Sequence, residues 1–383
     1  MSTHLNIAFY TDTFYPAVDG VVTSVNNFSH ELKRRGHNVY IFTAGKRSGN
    51  NNATIDVFFE RGIRFKKYPQ YTLAMFPFTS SMKVRELDID LIHTHTPFFM
   101  GMSAMMVAKL NKLPIVGSFH TLFTDRAVIA EYAAKNALFQ KVANKYSWPY
   151  ARFFYNRCDR VIAPSASTAS ILDRNGISNA SIVENGIDMK KFNRNVNGKR
   201  LRNSLLTDGY EHIVLYLGRV SREKRIDTMI RAAKKLSRRD VRFVIAGTGP
   251  ALDHYKKLAA RYKLDGKVVF TGFVSDSDLP RYYAASDLLC MPSTFETQGI
   301  VTLEAMACNK PVVGADYLAL SDLIIKGSNG EKFMPNNSSD CAKKIGKVLD
   351  NIERYSGMTG TAAKYSIEKT TDKLLNVYND VIH

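Results

Sequence analysis

Leu288-Leu289-Cys290-Met291-Pro292-Ser293-Thr294-Phe295-Glu296-Thr297-Gln298-Gly299-Ile300-Val301-Thr302-Leu303-Glu304-Ala305 is the stretch from which the fold can be read. An apolar run ends in Ser-Thr, a short polar segment follows, and a helical segment leads into a second apolar run at Pro311-Val312-Val313. Strand, loop, helix, strand in that order is the repeating unit of a parallel sheet. Gly299 sits where the helix would begin, so the backbone N–H groups after it lack intrahelical partners and form a seat for an anion. Glu296 and Glu304 flank that seat. Helical side chains lean towards the N-terminus, which aims Glu304 back at the same place. A carboxylate repels an anion, so both residues are better suited to accept hydrogen bonds from neutral hydroxyls. The ligand implied is a phosphate-bearing polyol.

The same alternation runs outward in both directions. Residues 6–10, 39–42, 91–95, 115–119 and 160–163 read as buried strands, most of them followed by a helical pattern such as Val22, Val25, Phe28 and Leu32. A second series occupies residues 213–217, 242–246, 268–271, 287–291 and 311–314. Two tandem α/β domains are expected, each a Rossmann-like, doubly wound parallel sheet. Their boundary falls near residues 186–205. The first domain is expected over 1–190 and the second over 191–360, with a last helix at about 361–383 returning to pack on the first. Ligands of such sheets bind beyond the carboxyl ends of the strands, which is where the opening stretch lies.

The 383 residues are too many for one ordinary core and are 45% hydrophobic and 23% charged, a globular composition that argues against disorder. A net charge of +18, spread over both halves, fits a phosphorylated substrate, an anionic membrane or nucleic acid. The four cysteines are far apart and include no Cys-x-x-Cys, which excludes a disulfide framework and favours a reducing, cytoplasmic setting. The N-terminus enters a strand without the pattern of a signal peptide, and no apolar run is long enough to span a bilayer. A nucleic-acid binder would need a groove-reading helix or a platform of stacking aromatics, and neither is present.

Further candidates lie at other strand ends. Gly218-Arg219-Val220-Ser221-Arg222-Glu223-Lys224-Arg225 places Arg219 and Lys224 in a βα loop, where their cations suit phosphate oxygens. Gly247-Thr248-Gly249 is too short a signal to name a ligand, and the chain has no Gly-x-Gly-x-x-Gly, which weighs against a nicotinamide enzyme. Gly272-Phe273-Val274 marks a turn. In the first domain Gly20 permits close backbone approach to a ligand, and His120 ends a strand facing the expected cleft. His93 and His95 alternate along a strand without an accompanying carboxylate or cysteine, so no metal site is assigned to them. Asp88-Ile89-Asp90 precedes its strand, at the wrong end for a metal-nucleotide site, and reads as a turn.

Taken together, these residues resemble glycosyltransferase family 4, retaining enzymes of the GT-B fold, over essentially the whole chain. The likeness runs from Tyr10-Thr11-Asp12-Thr13-Phe14-Tyr15-Pro16 and Gly20-Val21-Val22 through Ser118-Phe119-His120-Thr121, Asn185-Gly186-Ile187-Asp188 and the 218–225 loop to the Glu-x7-Glu pair. Within the family, residues 12–22 and His95-Thr96-Pro97-Phe98 are most similar to the bacterial and archaeal diacylglycerol glucosyltransferases. The resemblance implies two Rossmann-like domains with an interdomain cleft, an N-terminal domain for the acceptor and a C-terminal one for a nucleotide sugar, UDP-glucose first among donors.

It implies that Glu296 holds donor-sugar hydroxyls and Glu304 the ribose, and that Arg219 and Lys224 bind the diphosphate. Backbone N–H groups at Gly20-Val21 and Gly299-Ile300-Val301 would assist them, Gly272-Phe273-Val274 would receive the base, and His120 would contact the transferred sugar. No metal and no further cofactor is expected. The acceptor would be a membrane lipid such as diacylglycerol, reached by peripheral association with the cytoplasmic face of the membrane. Within residues 61–85, Arg64, Lys66, Lys67, Lys83 and Arg85 interleave with aromatic and aliphatic residues and suit an anionic surface at about 1 kcal/mol per cation. Phe98, Phe99, Met100, Met102, Met105 and Met106 would extend that surface.

Overall fold

A computed structural model describes residues 4–15, 19–45, 55–60, 62–65, 68–74, 80–132, 136–207 and 209–383, with the side chains of 61–79, 127 and 131–135 outside the description. The chain divides into two compact units, residues 1–186 with 367–383, and residues 187–366.

The first unit contains β1 (Asn6–Thr11), β2 (Asn38–Ala44), β3 (Asp56–Glu60), the antiparallel hairpin β4 (Gly62–Phe65) and β5 (Tyr68–Ala74), then β6 (Leu91–Thr94), β7 (Ile115–Ser118), β8 (Arg160–Ala163) and β9 (Ala180–Ile182). Among the described residues all of these but β4 and β5 form a seven-stranded parallel sheet in the order β3-β2-β1-β6-β7-β8-β9. Ile7 to Thr11 are buried without alternation, as a strand covered by helices on both faces requires. The helix Gly20–Arg34 buries Val22, Val25, Phe28 and Leu32, is capped by Asp19, carries Lys33 and Arg34 in its last turn, and is followed by Gly36 at φ +90°.

The second unit contains β10 (His212–Leu217), β11 (Val241–Ala246), β12 (Val268–Gly272), β13 (Leu288–Met291), β14 (Val312–Ala315) and β15 (Gly330–Phe333). Among the described residues their order is β12-β11-β10-β13-β14-β15. In both sheets the order reverses beside the first strand, between β1 and β6 and between β10 and β13. Those are the positions where an open α/β sheet splays its loops and leaves room for a ligand.

The last helix, Ile367–Ile382, adds Ile367, Leu374, Val377 and Tyr378 to the core of the first unit. It meets Gly186 so closely that a Cβ there would lie 2.5 Å from the Ile367 Cα, so a glycine is required. Arg35–Asp372 and Lys373–Glu184 ion pairs fix its outer side. Five strands were not expected: β3, β4, β5, β9 and β15. β15 sets Glu331 and Lys332 side by side between Gly330 and Phe333, and β9 is a three-residue edge strand, so neither carries an apolar run. Asp88-Ile89-Asp90 is a turn, with Asp88 at φ +45° and Asp90 accepting the Asn6 N–H at 2.7 Å.

Candidate functional site

The loop leaving β10 forms one short turn of 3₁₀ helix over Arg222–Lys224. Glu223 is buried beneath it and accepts from Arg219 Nη2 at 3.1 Å and from Ser221 Oγ, so a carboxylate unnoticed in the sequence positions the Arg219 guanidinium. Lys224 Nζ reaches Glu296 Oε1 at 2.6 Å, across 72 residues of sequence. The two side chains are 21% and 14% exposed, sheltered from bulk water yet reachable. The two loops that meet here leave β10 and β13, the strands flanking the reversal of the second sheet.

Gly299 adopts φ +78°, ψ +54° immediately before the helix Ile300–Ala307, and a Cβ there would press on Leu320 at 3.2 Å. The left-handed turn and the close approach both favour glycine. The helix buries Leu303 and Ala305 to Ala307 in the core, while Ile300 and Val301 stay part-exposed at its start. Glu304 is buried and accepts from Tyr283 OH at 2.6 Å. Loss of solvent pushes its carboxyl up to about 7, partly offset by that hydrogen bond and by the positive charge of Lys191. Near neutral pH it therefore exchanges between donor and acceptor.

Gly272 ends β12 at φ +77°, Phe273 is 65% exposed, and Val274 rests against the core of the unit. An exposed aromatic ring at a strand's carboxyl end is available to stack on a planar ligand. The Gly247 and Gly249 pair has a packing explanation. A Cβ on Gly247 would lie 2.0 Å from Gly218 O, and one on Gly249 2.3 Å from Val220 O. These glycines let the β11 loop lie on the β10 loop.

In the first unit the helix Gly20–Arg34 starts at Gly20, and Asp19 Oδ1 accepts from both Val21 N and Val22 N at 2.9 Å. An anion at Val21 would have to displace that cap. Asp12 is buried at the end of β1, accepts from Met100 N at 3.0 Å and from the Thr96 hydroxyl, and is held above the ordinary carboxylate range by burial. His120 Nε2 lies 3.0 Å from His95 Nδ1, with the two rings stacked at 5.3 Å. Burial lowers His120 to about 4, so it is a neutral imidazole at physiological pH. His93 bridges Ser118 Oγ at 2.8 Å and Tyr378 OH at 2.6 Å. His93 and His95 thus serve hydrogen bonding and packing, and the contact between His95 and His120 was not legible from sequence.

Among the described residues one His/Asp/Glu group has metal-like spacing, Glu211, His212 and Asp240, at the amino ends of β10 and β11 and hence away from the candidate site. Asp240 there is engaged by Arg238 through two hydrogen bonds. Phe98, Phe99 and Met106 are exposed as expected, whereas Met100 is core. Most of the expected membrane segment, 61–79, has side chains outside the description. Of its cations that are described, Lys83 pairs with Glu86 and Arg85 bonds Asn111.

The chain is similar to known proteins over most of its length. The model of Glycosyltransferase Family 4 matches residues 18–191, and that of Glycosyl transferases group 1 matches residues 198–365. The alpha-monoglucosyldiacylglycerol synthase of Streptococcus pneumoniae is 31% identical over 328 residues, 84% of this chain and 73% of its own length. That of Acholeplasma laidlawii is 27% identical over 98% of this chain and 94% of its own length. A GDP-mannose-dependent alpha-mannosyltransferase of Corynebacterium glutamicum is 26% identical over 99% of this chain and 89% of its own length. Among solved structures, an Anabaena protein in complex with UDP and glucose superposes with a TM-score of 0.78 at 20% identity, covering 98% of this chain and all of that one.

Proposed function

The chain belongs to glycosyltransferase family 4 and has the GT-B fold, and on that premise we propose that it moves glucose from UDP-glucose to diacylglycerol with retention of anomeric configuration. The observation that carries this reading is the Lys224–Glu296 pair beside the start of the helix Ile300–Ala307, at the reversal point of the second sheet. Cation, carboxylate and helix N-terminus together suit a sugar diphosphate, which needs positive charge at one end and hydroxyl acceptors at the other.

In this reading the second unit binds the donor and the first the acceptor. Arg219 and Lys224 neutralise the diphosphate, Glu296 turns from Lys224 to the sugar hydroxyls, Glu304 takes the ribose, and the Gly272-Phe273-Val274 turn takes the base. Backbone N–H groups of Gly299-Ile300-Val301 face the leaving phosphate, Gly20-Val21 assist once Asp19 yields, and His120 contacts the transferred sugar. Breaking the glycosyl–phosphate bond builds charge on the leaving group, which preorganised donors stabilise. Two charge-assisted contacts at ~1.5–3 kcal/mol each and a helix start at ~0.3–2 kcal/mol sum to about 3–8 kcal/mol. Acting only in the transition state, that is on the order of 10²–10⁶ in rate. The cations and the helix thereby supply the neutralisation that a metal ion gives in other transferases. The departing phosphate helps to deprotonate the acceptor on the same face, with no protein nucleophile.

The test offers the purified protein UDP-glucose, UDP-galactose and GDP-mannose with diacylglycerol in detergent micelles, and identifies product and anomer. An α-glucosyl lipid is expected. Exclusive use of GDP-mannose, as the Corynebacterium relative's name describes, would overturn the donor assignment. Transfer to a soluble or polyprenyl-linked glycan alone would overturn the acceptor, and a covalent glycosyl adduct on Glu296 would overturn the same-face mechanism.

A further inference from the structure

The helix Ala137–Tyr155 turns the wrong face to water. Leu138, Phe139, Val142, Tyr146 and Phe153 are all exposed, Leu138 by 73% and Phe139 by 55%. At 3.6 residues per turn these five positions fall within roughly 100° of one another, a single stripe along the whole helix. The opposite side carries Ala151, Phe154 and Tyr155, which are buried. An apolar outer face over about five turns is not a scattering of single surface residues, and it calls for an occupant.

The charges identify that occupant. Lys141, Lys145 and Arg152 lie within roughly 40° of each other along one edge of the stripe, are exposed, and form no ion pair among the described residues. The helix contains no acidic residue. A second copy packed antiparallel through the same face about a twofold axis would bring these cations together, and one packed parallel would offer them a helix with no acidic residue. A layer of anionic headgroups over acyl chains instead matches both the edge and the stripe. The exposed face also continues beyond the helix. Tyr150 OH donates to Pro97 O, and Phe98 rests on Phe123 at 5.5 Å, which bring exposed Phe98 and Phe99 alongside.

We propose that the outward face of the helix Ala137–Tyr155 docks the protein on an anionic lipid bilayer, its apolar stripe entering the headgroup–acyl boundary and its basic edge meeting the lipid phosphates. This helix is a different segment of the chain from residues 61–85. It rests on the lipid-acceptor reading above, and it sets the membrane beside the carboxyl ends of β6 and β7, where His120 lies.

The test is co-sedimentation of the full chain with phosphatidylcholine vesicles, with and without phosphatidylglycerol, in the absence of any sugar donor. Wild type should bind the anionic vesicles and lose binding as salt rises. Lys141→Glu with Lys145→Glu should lower partitioning at least ~25-fold, at roughly fivefold per cation. Leu138→Ser with Val142→Ser should lower it roughly tenfold or more. All four positions are exposed, so folding should survive, and circular dichroism checks it. Both variants should keep wild-type transfer to a micellar acceptor. That separates failure of docking from failure of the proposed activity. Wild-type sedimentation of both double variants would overturn the proposal, as would absence of wild-type binding to anionic vesicles. A change of oligomeric state in the variants, seen by sedimentation velocity, would assign the face to a second copy and overturn it equally.

Discussion

The carboxyl ends of β1 and β6 and those of β10 and β13 occupy the same place in two copies of one topology, yet they use their polar groups in opposite ways. In the first unit Asp12 is buried and consumed by the Met100 N–H and the Thr96 hydroxyl, which lock two loops together. In the second, Lys224 and Glu296 pair with each other, part-exposed, at 2.6 Å. A carboxylate fully satisfied by its own chain is structural. A carboxylate and an ammonium that neutralise one another at a sheet's reversal point can exchange partners when a charged, hydroxylated ligand arrives. The same fold position is therefore a rivet in one unit and, in the proposed reading, a socket in the other.

The largest effect that would break this contrast is kinetic. Lys224→Ala should lower kcat/KM by about 10²–10³-fold, from loss of a charge-assisted contact and of the neutralising charge beside the leaving group. Glu296→Ala should cost a similar factor, and the double variant much less than the product of the two, because the residues act as a pair. Wild-type turnover in either single variant would remove them from the reaction. At the other position, Asp12→Ala should cost about 2–4 kcal/mol in urea denaturation, since it strands a buried N–H and a hydroxyl. Asp12→Asn keeps an acceptor for Met100 and should cost less.

A third effect depends on pH. The Glu304 carboxyl is raised from its usual 4.5 to about 7 by burial, so the folded state holds a proton that the unfolded chain releases. Its contribution to stability is complete below pH 4.5 and is lost as pH rises through 7. Glu304→Gln should remove that dependence. The variant should match wild type near pH 4.5 and exceed it at pH 8 by on the order of 3 kcal/mol, read from melting curves across the range. Smallest is His95→Leu. It removes the hydrogen bond to His120 and should lower kcat about tenfold while donor affinity, measured by calorimetry, stays unchanged.

How much of this was readable beforehand follows from what each feature rests on. Apolar runs such as Ile213 to Leu217 and Leu288 to Met291 report burial directly, so ten parallel strands and the helix beginning after Gly299 could be read from residue order. β15 could not, because Glu331 and Lys332 inside it break the apolar pattern, and Glu331 is satisfied by Lys347 and Tyr355 in the folded chain. The site residues Arg219, Lys224, Glu296 and Glu304 stood out one at a time by type and by position at strand ends. That Lys224 meets Glu296 and that Tyr283 fastens Glu304 depends on sheet order, which brings together segments 72 and 21 residues apart, whereas Glu223 steers Arg219 from four residues away through the turn of their own loop. The outward apolar face of Ala137–Tyr155 is invisible for the same reason: periodicity locates a stripe but not the side on which the core lies.

The helix Ile367–Ile382 has a further consequence for how the protein is made. Tyr378 seals the His93 side of the first unit and Leu374 fills its core, so the half of the molecule that leaves the ribosome first is the half that closes last. Throughout translation of the second unit, a sheet with a missing cover exposes apolar surface, the condition under which nascent chains recruit chaperones or aggregate. Final folding of the first unit then waits on contacts as distant as residues 93 and 378, a closure of high contact order and hence slow.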